Sequence, residues 1–128
     1  MRRHHIHPDG LPEPNGYSHA VSDSGRTIVV SGQVPLDAQG GLVGRDDPEA
    51  QVRQVFENIS VALAAAGAGM DDVVKLTVYL TDLSDLGAFR RVRDEYVSMD
   101  RPPASSLVRV SGLIDPAFRV EIDALALI

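Results

Sequence analysis

The sequence predicts an α+β domain whose elements run β-β-α-β-α-β-β, a mixed sheet with two helices on one face. Two stretches, 47–66 and 84–99, repeat apolar residues at spacings of three and four, as the buried stripe of a helix does. Five shorter runs, rich in valine, isoleucine and leucine, carry the two-residue alternation of strands. Helices then alternate with strands along the chain, so at least one strand–helix–strand crossover pairs its strands in parallel. A length of 128 residues suits one domain with its own core. Residues 15–128 are assigned to that domain and residues 1–14 to an N-terminal arm.

The arm holds His4, His5 and His7, followed by Pro8, Gly10, Pro12 and Pro14. A metal site needs ligands on a fixed backbone, so the expected state is a mobile terminus without a metal. An edge strand formed by part of the arm is the other reading. Tyr17–Asp23 and Arg26–Ser31 read as two strands joined at Ser24-Gly25, a hairpin signal. The second runs into Ser31-Gly32-Gln33-Val34-Pro35, where glycine permits close approach to the backbone and proline stops a ladder. This is either a plain strand end or backbone that faces a ligand. Residues 37–44 form a glycine-rich loop.

Asp47-Pro48-Glu49 starts the first helix, with aspartate as cap, proline in the first turn and an acid near the positive end of the dipole. Val52, Val55, Phe56, Ile59 and Leu63 give its apolar stripe, and Gly67 ends it. Val73–Leu80 is a strand with Val74, Leu76, Val78 and Leu80 on one face and Val73, Lys75, Thr77 and Tyr79 on the other. Lys75 reads as structural or solvated. The second helix begins near Ser84 or Asp85 and puts Leu86, Phe89, Val92, Tyr96 and Met99 on one side. Arg90, Arg91 and Arg93, interleaved with acids, read as a solvated, salt-bridged face. Pro102-Pro103 blocks further helix.

In the first closing strand, parity sets Ser105, Leu107 and Arg109 against Ala104, Ser106, Val108 and Val110. In the second, Arg119, Glu121, Asp123, Leu125 and Leu127 oppose Phe118, Val120, Ile122, Ala124 and Ala126, so Glu121 projects from a rigid strand. Two helices cover one sheet face, yet apolar residues occur on both. A second copy of the chain is the expected cover, which predicts a homo-oligomer.

Twelve basic and eighteen acidic residues give a net charge of −6, which disfavours nucleic acid and anionic membranes as partners. Cysteine is absent, which excludes thiolate chemistry and disulfides. No apolar run approaches the length needed to span a bilayer, and a cytoplasmic location is the expectation.

Five stretches together resemble the RidA/YjgF family of reactive-intermediate deaminases, also called the endoribonuclease L-PSP family. They are Asn15-Gly16-Tyr17, Ser31–Pro35, Ala64–Gly67, Val74–Leu83, and Arg101–Ser106 followed by Val120–Asp123. The resemblance covers Asn15 to the C-terminus. It implies a chorismate-mutase-like fold, a homotrimer with ligand clefts between subunits, and addition of water to an imine or enamine carbon with loss of ammonia, without a cofactor. By correspondence Glu121 is the proton-relaying carboxylate, Tyr17, Ser31 and Gly32 line the cleft, and Leu107 offers a backbone amide. The departure is Ser105, where the deaminating members carry an arginine that grips the substrate carboxylate. Losing that fork removes charge-assisted bonds worth about 1.5–3 kcal/mol each.

The expected function is therefore hydrolysis of an imine, an enamine or a related small reactive metabolite. Glu121 is the catalytic candidate, and Tyr17, Ser31, Gly32, Ser105, Ser106, Leu107 and Arg109 are the binding candidates. Arg109 shares the Ser105 face and could supply the missing charge. A non-catalytic trimer that binds a small metabolite is the alternative, and RNA cleavage a minor one.

Overall fold

The computed structural model describes residues 3–128. Its elements are β1 (His4–Ile6), β2 (Ala20–Ser22), β3 (Thr27–Gln33), α1 (Pro48–Ala65), β4 (Val73–Leu80), α2 (Leu86–Tyr96), β5 (Ala104–Arg109) and β6 (Val120–Leu127), with single 3-10 turns before β4 and α2. Four strands form a sheet in the order β3-β6-β4-β5, in which β4 and β5 are parallel and the other pairs antiparallel. The parallel pair flanks α2, as the crossover argument requires.

Local sequence sets the first helix at both ends. The Asp47 side chain accepts the Ala50 N–H at 3.1 Å. Gly67, at φ +82°, lets the chain turn so that Ala68 N–H reaches the Leu63 carbonyl at 2.9 Å. Val52, Val55, Phe56, Ile59 and Leu63 are all buried against Ile28, Val30, Leu76, Val78, Ile122 and Ala124, one face of the sheet. Burying five such side chains contributes about 1.5–3 kcal/mol each. Phe56 also joins the two helices, stacking on Tyr96 at 5.0 Å and lying 6.3 Å from Phe89. The Tyr96 hydroxyl donates to Glu57 at 2.6 Å, and burial followed by that bond pushes its pKa up to about 12.

Gln51 is a buried polar residue with all its needs met. Its amide donates to the Gly44 carbonyl at 3.0 Å and the Ala117 carbonyl at 2.9 Å, and its oxygen accepts Arg119 N–H at 2.8 Å. These bonds tie the loop before α1 to the entry of β6. Arg119 completes that corner with a two-pronged bond to Asp85 at 2.8 and 3.0 Å.

The N-terminal third departs from the predicted hairpin. β2 pairs with β1, not with β3. The reason is at Gly25 and Arg26, because Arg26 exchanges backbone hydrogen bonds with Ile128 at 2.7 and 3.1 Å and so feeds β3 directly onto β6. A β-carbon on Gly25 would sit 2.5 Å from the Ile128 carbonyl oxygen. Glycine there serves a close approach to the last strand rather than a hairpin turn. Within the stretch read as an arm, His4–Ile6 takes the edge-strand form. Arg3 fastens it, donating to Asp23 at 2.6 Å and to the Leu127 carbonyl at 2.8 Å. Two side chains also depart from the predicted faces of α2: Arg93 is buried at 6% exposure, and Met99, past the helix end, is 54% exposed.

The second face of the sheet carries Val29, Lys75, Thr77, Tyr79, Glu121, Asp123, Leu125 and Val108, and among the described residues no element covers it. Val29 is 73% exposed there. Among the described residues no helix is long and apolar enough to cross a membrane.

Candidate active site

Most of the predicted site residues fall into two groups on opposite faces of the sheet. Glu121 lies opposite Tyr79 in the register and shares the uncovered face with it. Its carboxylate stands over Gly32, for a β-carbon on Gly32 would meet Glu121 Oε2 at 2.2 Å and Cδ at 2.9 Å. Only glycine leaves that volume empty. β3 also carries an extra residue here: Val30 pairs with Ala124 and Gln33 with Ile122, so Ser31 and Gly32 bulge out of the ladder. Such bulges re-aim side chains and backbone near sites.

The charge around Glu121 is negative. Asp123 lies two residues along the same face, and the Tyr79 hydroxyl is turned to Asp123 Oδ2 at 3.4 Å. That leaves the Glu121 carboxylate without a hydrogen-bond partner among the described residues. The Asp123 charge first, then lost hydration and the bond to Asp123, raise the Tyr79 phenol above its usual 10, with Glu121 adding a smaller push in the same direction.

The second group lines a hollow of about 190 Å³ between β5 and α2. Ser105 and Leu107 come from β5, Phe89, Arg90 and Arg93 from α2, and Tyr17 from the segment before β2. Tyr17 is placed by the Asn15-Gly16 turn. Gly16 has φ +72°, and a β-carbon there would collide with the Arg93 guanidinium. Arg93 in turn donates to the Asn15 carbonyl and to Asn15 Oδ1, both at 3.2 Å, and lies 5.7 Å over the Phe89 ring. Downstream, the buried Ser18 ties the segment to β5, its N–H bonding the Pro103 carbonyl at 2.9 Å.

Leu107 offers its backbone as well as its side chain. β5 is an edge strand, and Val110 N–H points back to the Leu80 carbonyl at 2.8 Å. Alternate residues of a strand turn their amides to opposite sides, so Leu107 N–H points outward, away from β4.

Ser106 and Arg109 do not join either group. Ser106 lies on the uncovered face, where Lys75 Nζ donates to its Oγ at 2.8 Å. Arg109 is exposed at the end of β5, opposite Leu80, and its charge lowers the Asp82 pKa as the last of several causes, behind the bonds from Ser84. Parity explains both, since Ser106 alternates away from Ser105, and Arg109, although of the right parity, sits one repeat beyond the hollow. The sequence reading missed Arg90, Arg93 and Asn15. Nothing in the local pattern separates these arginines from solvated ones, because the partner that buries Arg93 is 78 residues away.

The site residues can be set beside known proteins. The profile of the family described as Endoribonuclease L-PSP matches residues 10–128. A Myxococcus xanthus protein named DfrA is 41% identical over 98% of this chain and 96% of its own. The 2-iminobutanoate/2-iminopropanoate deaminase of Salmonella typhimurium is 35% identical over 81% of each chain. Among solved structures, the Rid-family protein YyfB of Yersinia pestis superposes with a TM-score of 0.91 at 36% identity, over the whole of both chains. By sequence and by fold, the chain belongs to the RidA/YjgF family, the family described as Endoribonuclease L-PSP.

Proposed function

We propose that this protein is a cofactor-independent hydrolase of small imines or enamines, acting in clefts between subunits of a homotrimer and releasing ammonia. One observation carries the reading. Glu121 with Gly32 and Tyr17 with Ser105 and Leu107 occupy opposite faces of one sheet, with strand β4 between them. They cannot converge on one small molecule within a chain, so a site that uses both takes each half from a different copy. The uncovered apolar residues Val29, Leu125 and Val108 supply the surface for that assembly.

In such a cleft the bulged Ser31-Gly32 backbone and the Leu107 N–H hold the substrate, and Tyr17 closes one side. Glu121 takes a proton from water as it adds to the imine carbon and passes it to the nitrogen, then moves the hydroxyl proton of the resulting carbinolamine to the same nitrogen as the C–N bond breaks, leaving ammonia and a keto group. A free carboxylate over an open glycine is suited to that task. The names of relatives such as the Salmonella deaminase support the reaction class.

The test is ammonia release from enzymatically generated imines, with Glu121→Ala and Ser105→Arg in parallel. Wild type active and Glu121→Ala reduced about 10²–10⁴-fold is the expected result. An inert wild type that gains activity through Ser105→Arg would remove the deaminase reading, and a tightly bound metabolite without turnover would make the protein a binding module. Light scattering should give three chains per particle; a monomer sinks the shared-cleft geometry.

A further inference from the structure

We propose that Arg90, on α2, holds the substrate carboxylate in place of the arginine that the family's deaminases carry at the position of Ser105, so that the substrate is an anionic imino acid. This rests on the shared-cleft reading above and adds the residue and the ligand charge that the reading leaves open.

The hollow that contains Tyr17, Ser105 and Leu107 has two guanidinium groups in its wall, Arg90 and Arg93. Arg93 is spent on the fold. It is buried, bonded to both the carbonyl and the side chain of Asn15 and to Asp94 at 3.0 Å, and stacked over Phe89. Turning it to a ligand would unmake the turn that places Tyr17. The adjacent Arg91 faces away, pairing with Glu49 at 2.5 Å. Arg109 lies outside the hollow. Arg90 is exposed and, among the described residues, has neither an ion pair nor a hydrogen bond, so its five donors are available.

The rest of the wall fits the same ligand. Leu86, Phe89 and Leu107 make an apolar floor, which excludes water from one side of a small molecule. The Ser105 hydroxyl and the outward Leu107 N–H are neutral donors, suited to sharing a carboxylate with a guanidinium but unable to bind one alone. A serine at position 105 opens space over β5, and a long side chain from the neighbouring helix can fill it. Against a net charge of −6, which repels anions at long range, an unpaired guanidinium in the hollow supplies the local attraction that an anion needs.

Binding of 2-oxobutanoate, a stable keto-acid product analogue, and of its uncharged amide would be measured by calorimetry for wild type, Arg90→Ala, Arg90→Lys and Arg90→Ala/Ser105→Arg. Wild type should prefer the keto acid. Arg90→Ala should weaken the acid about 10- to 100-fold and leave the amide unchanged, with lysine intermediate and the double variant restored. Equal binding of acid and amide by wild type, an unchanged acid affinity in Arg90→Ala, or equal losses for both ligands overturns the assignment. Hydrolysis by Glu121→Gln, measured in parallel, separates the two ideas: retained hydrolysis in that variant defeats the catalytic reading, whereas the Arg90 result is read from binding alone. Thermal melts of each variant confirm folding.

Discussion

Gly32→Ala tests the geometry of the Glu121 carboxylate without touching the carboxylate itself. The added β-carbon would lie 2.2 Å from Oε2, 2.9 Å from Cδ and 3.2 Å from Cγ, where ordinary contacts begin at 3.4 Å. The obstacle is the end of a flexible side chain, so the fold can yield by moving Glu121 about 1 Å. Overpacking of that kind costs about 1 kcal/mol of stability, the low end for an added methyl. A displacement of about 1 Å at a reacting group costs on the order of 10²-fold in rate. The assay is keto-acid formation from a generated imine, beside urea denaturation, for Gly32→Ala, Glu121→Gln and the pair. Since alanine acts through Glu121, the double variant should be no slower than Glu121→Gln alone. Losses that multiply would show that the added methyl also disturbs the Ser31-Gly32 backbone that holds the substrate, beyond its effect on Glu121. A Gly32→Ala enzyme within about twofold of wild type would show that the position of the carboxylate over this glycine is irrelevant to the chemistry.

Two further outcomes concern the scaffold. Gln51→Leu keeps the volume of the side chain and leaves the Ala117 carbonyl and the Arg119 amide without their partner, while the Gly44 carbonyl keeps its bond from Asp47 N–H at 2.9 Å. Stability should fall by about 2–5 kcal/mol in urea melts, and a loss below about 1 kcal/mol would mean that water replaces all three bonds. His5 gives a pH signature. Burial, opposed by its bond to the Pro102 carbonyl and aided by the charges of Arg101, Arg3 and His7, holds its imidazole below the usual 6.5. The unfolded segment therefore binds the proton more readily, so docking of β1 is at full strength above about pH 6.5 and weakens as pH falls towards the lowered folded value. Hydrogen exchange of the β1–β2 amides should accelerate over that window, and His5→Gln should flatten the response; a pH-independent rate would contradict it.

Much of the fold was legible because its signals are local. The Asp47-Pro48 start, the spacing from Val52 to Leu63 and the glycine stop place α1 within a residue of its observed limits. β4 follows from an unbroken run of strand formers. What failed depended on distant partners. Ser24-Gly25 has the composition of a hairpin, but the identity of the neighbouring strand is decided by Ile128, a hundred residues on. Met99 continues the helical period only if the helix continues, and α2 stops at Tyr96. Arg93 illustrates the same limit at the site. Its burial is set by Asn15 and Phe89, and a charged residue between charged residues carries no mark of that. Parity did separate Ser105 from Ser106 correctly, although both were read as binding residues.

If Arg90 holds the carboxylate, the grip moves from a strand to a helix, and that changes what the proposed cleft can accept. A side chain on β5 would start from backbone fixed on one side by β4, with its direction set by the pleat. Arg90 starts from an exposed helical position and gains no second anchor among the described residues. Holding it in one conformer costs up to about 2 kcal/mol of side-chain entropy, which offsets much of one charge-assisted bond. The compensation is reach, because an unanchored guanidinium can meet carboxylates at different distances from the imine carbon. The expected specificity is therefore weak discrimination among imino acids of different chain length, with lower affinity for each than a fixed arginine would give. Restoring the fork through Ser105→Arg should reverse that balance, tightening the shortest substrates and excluding the longest, since the added side chain occupies the space that serine leaves open.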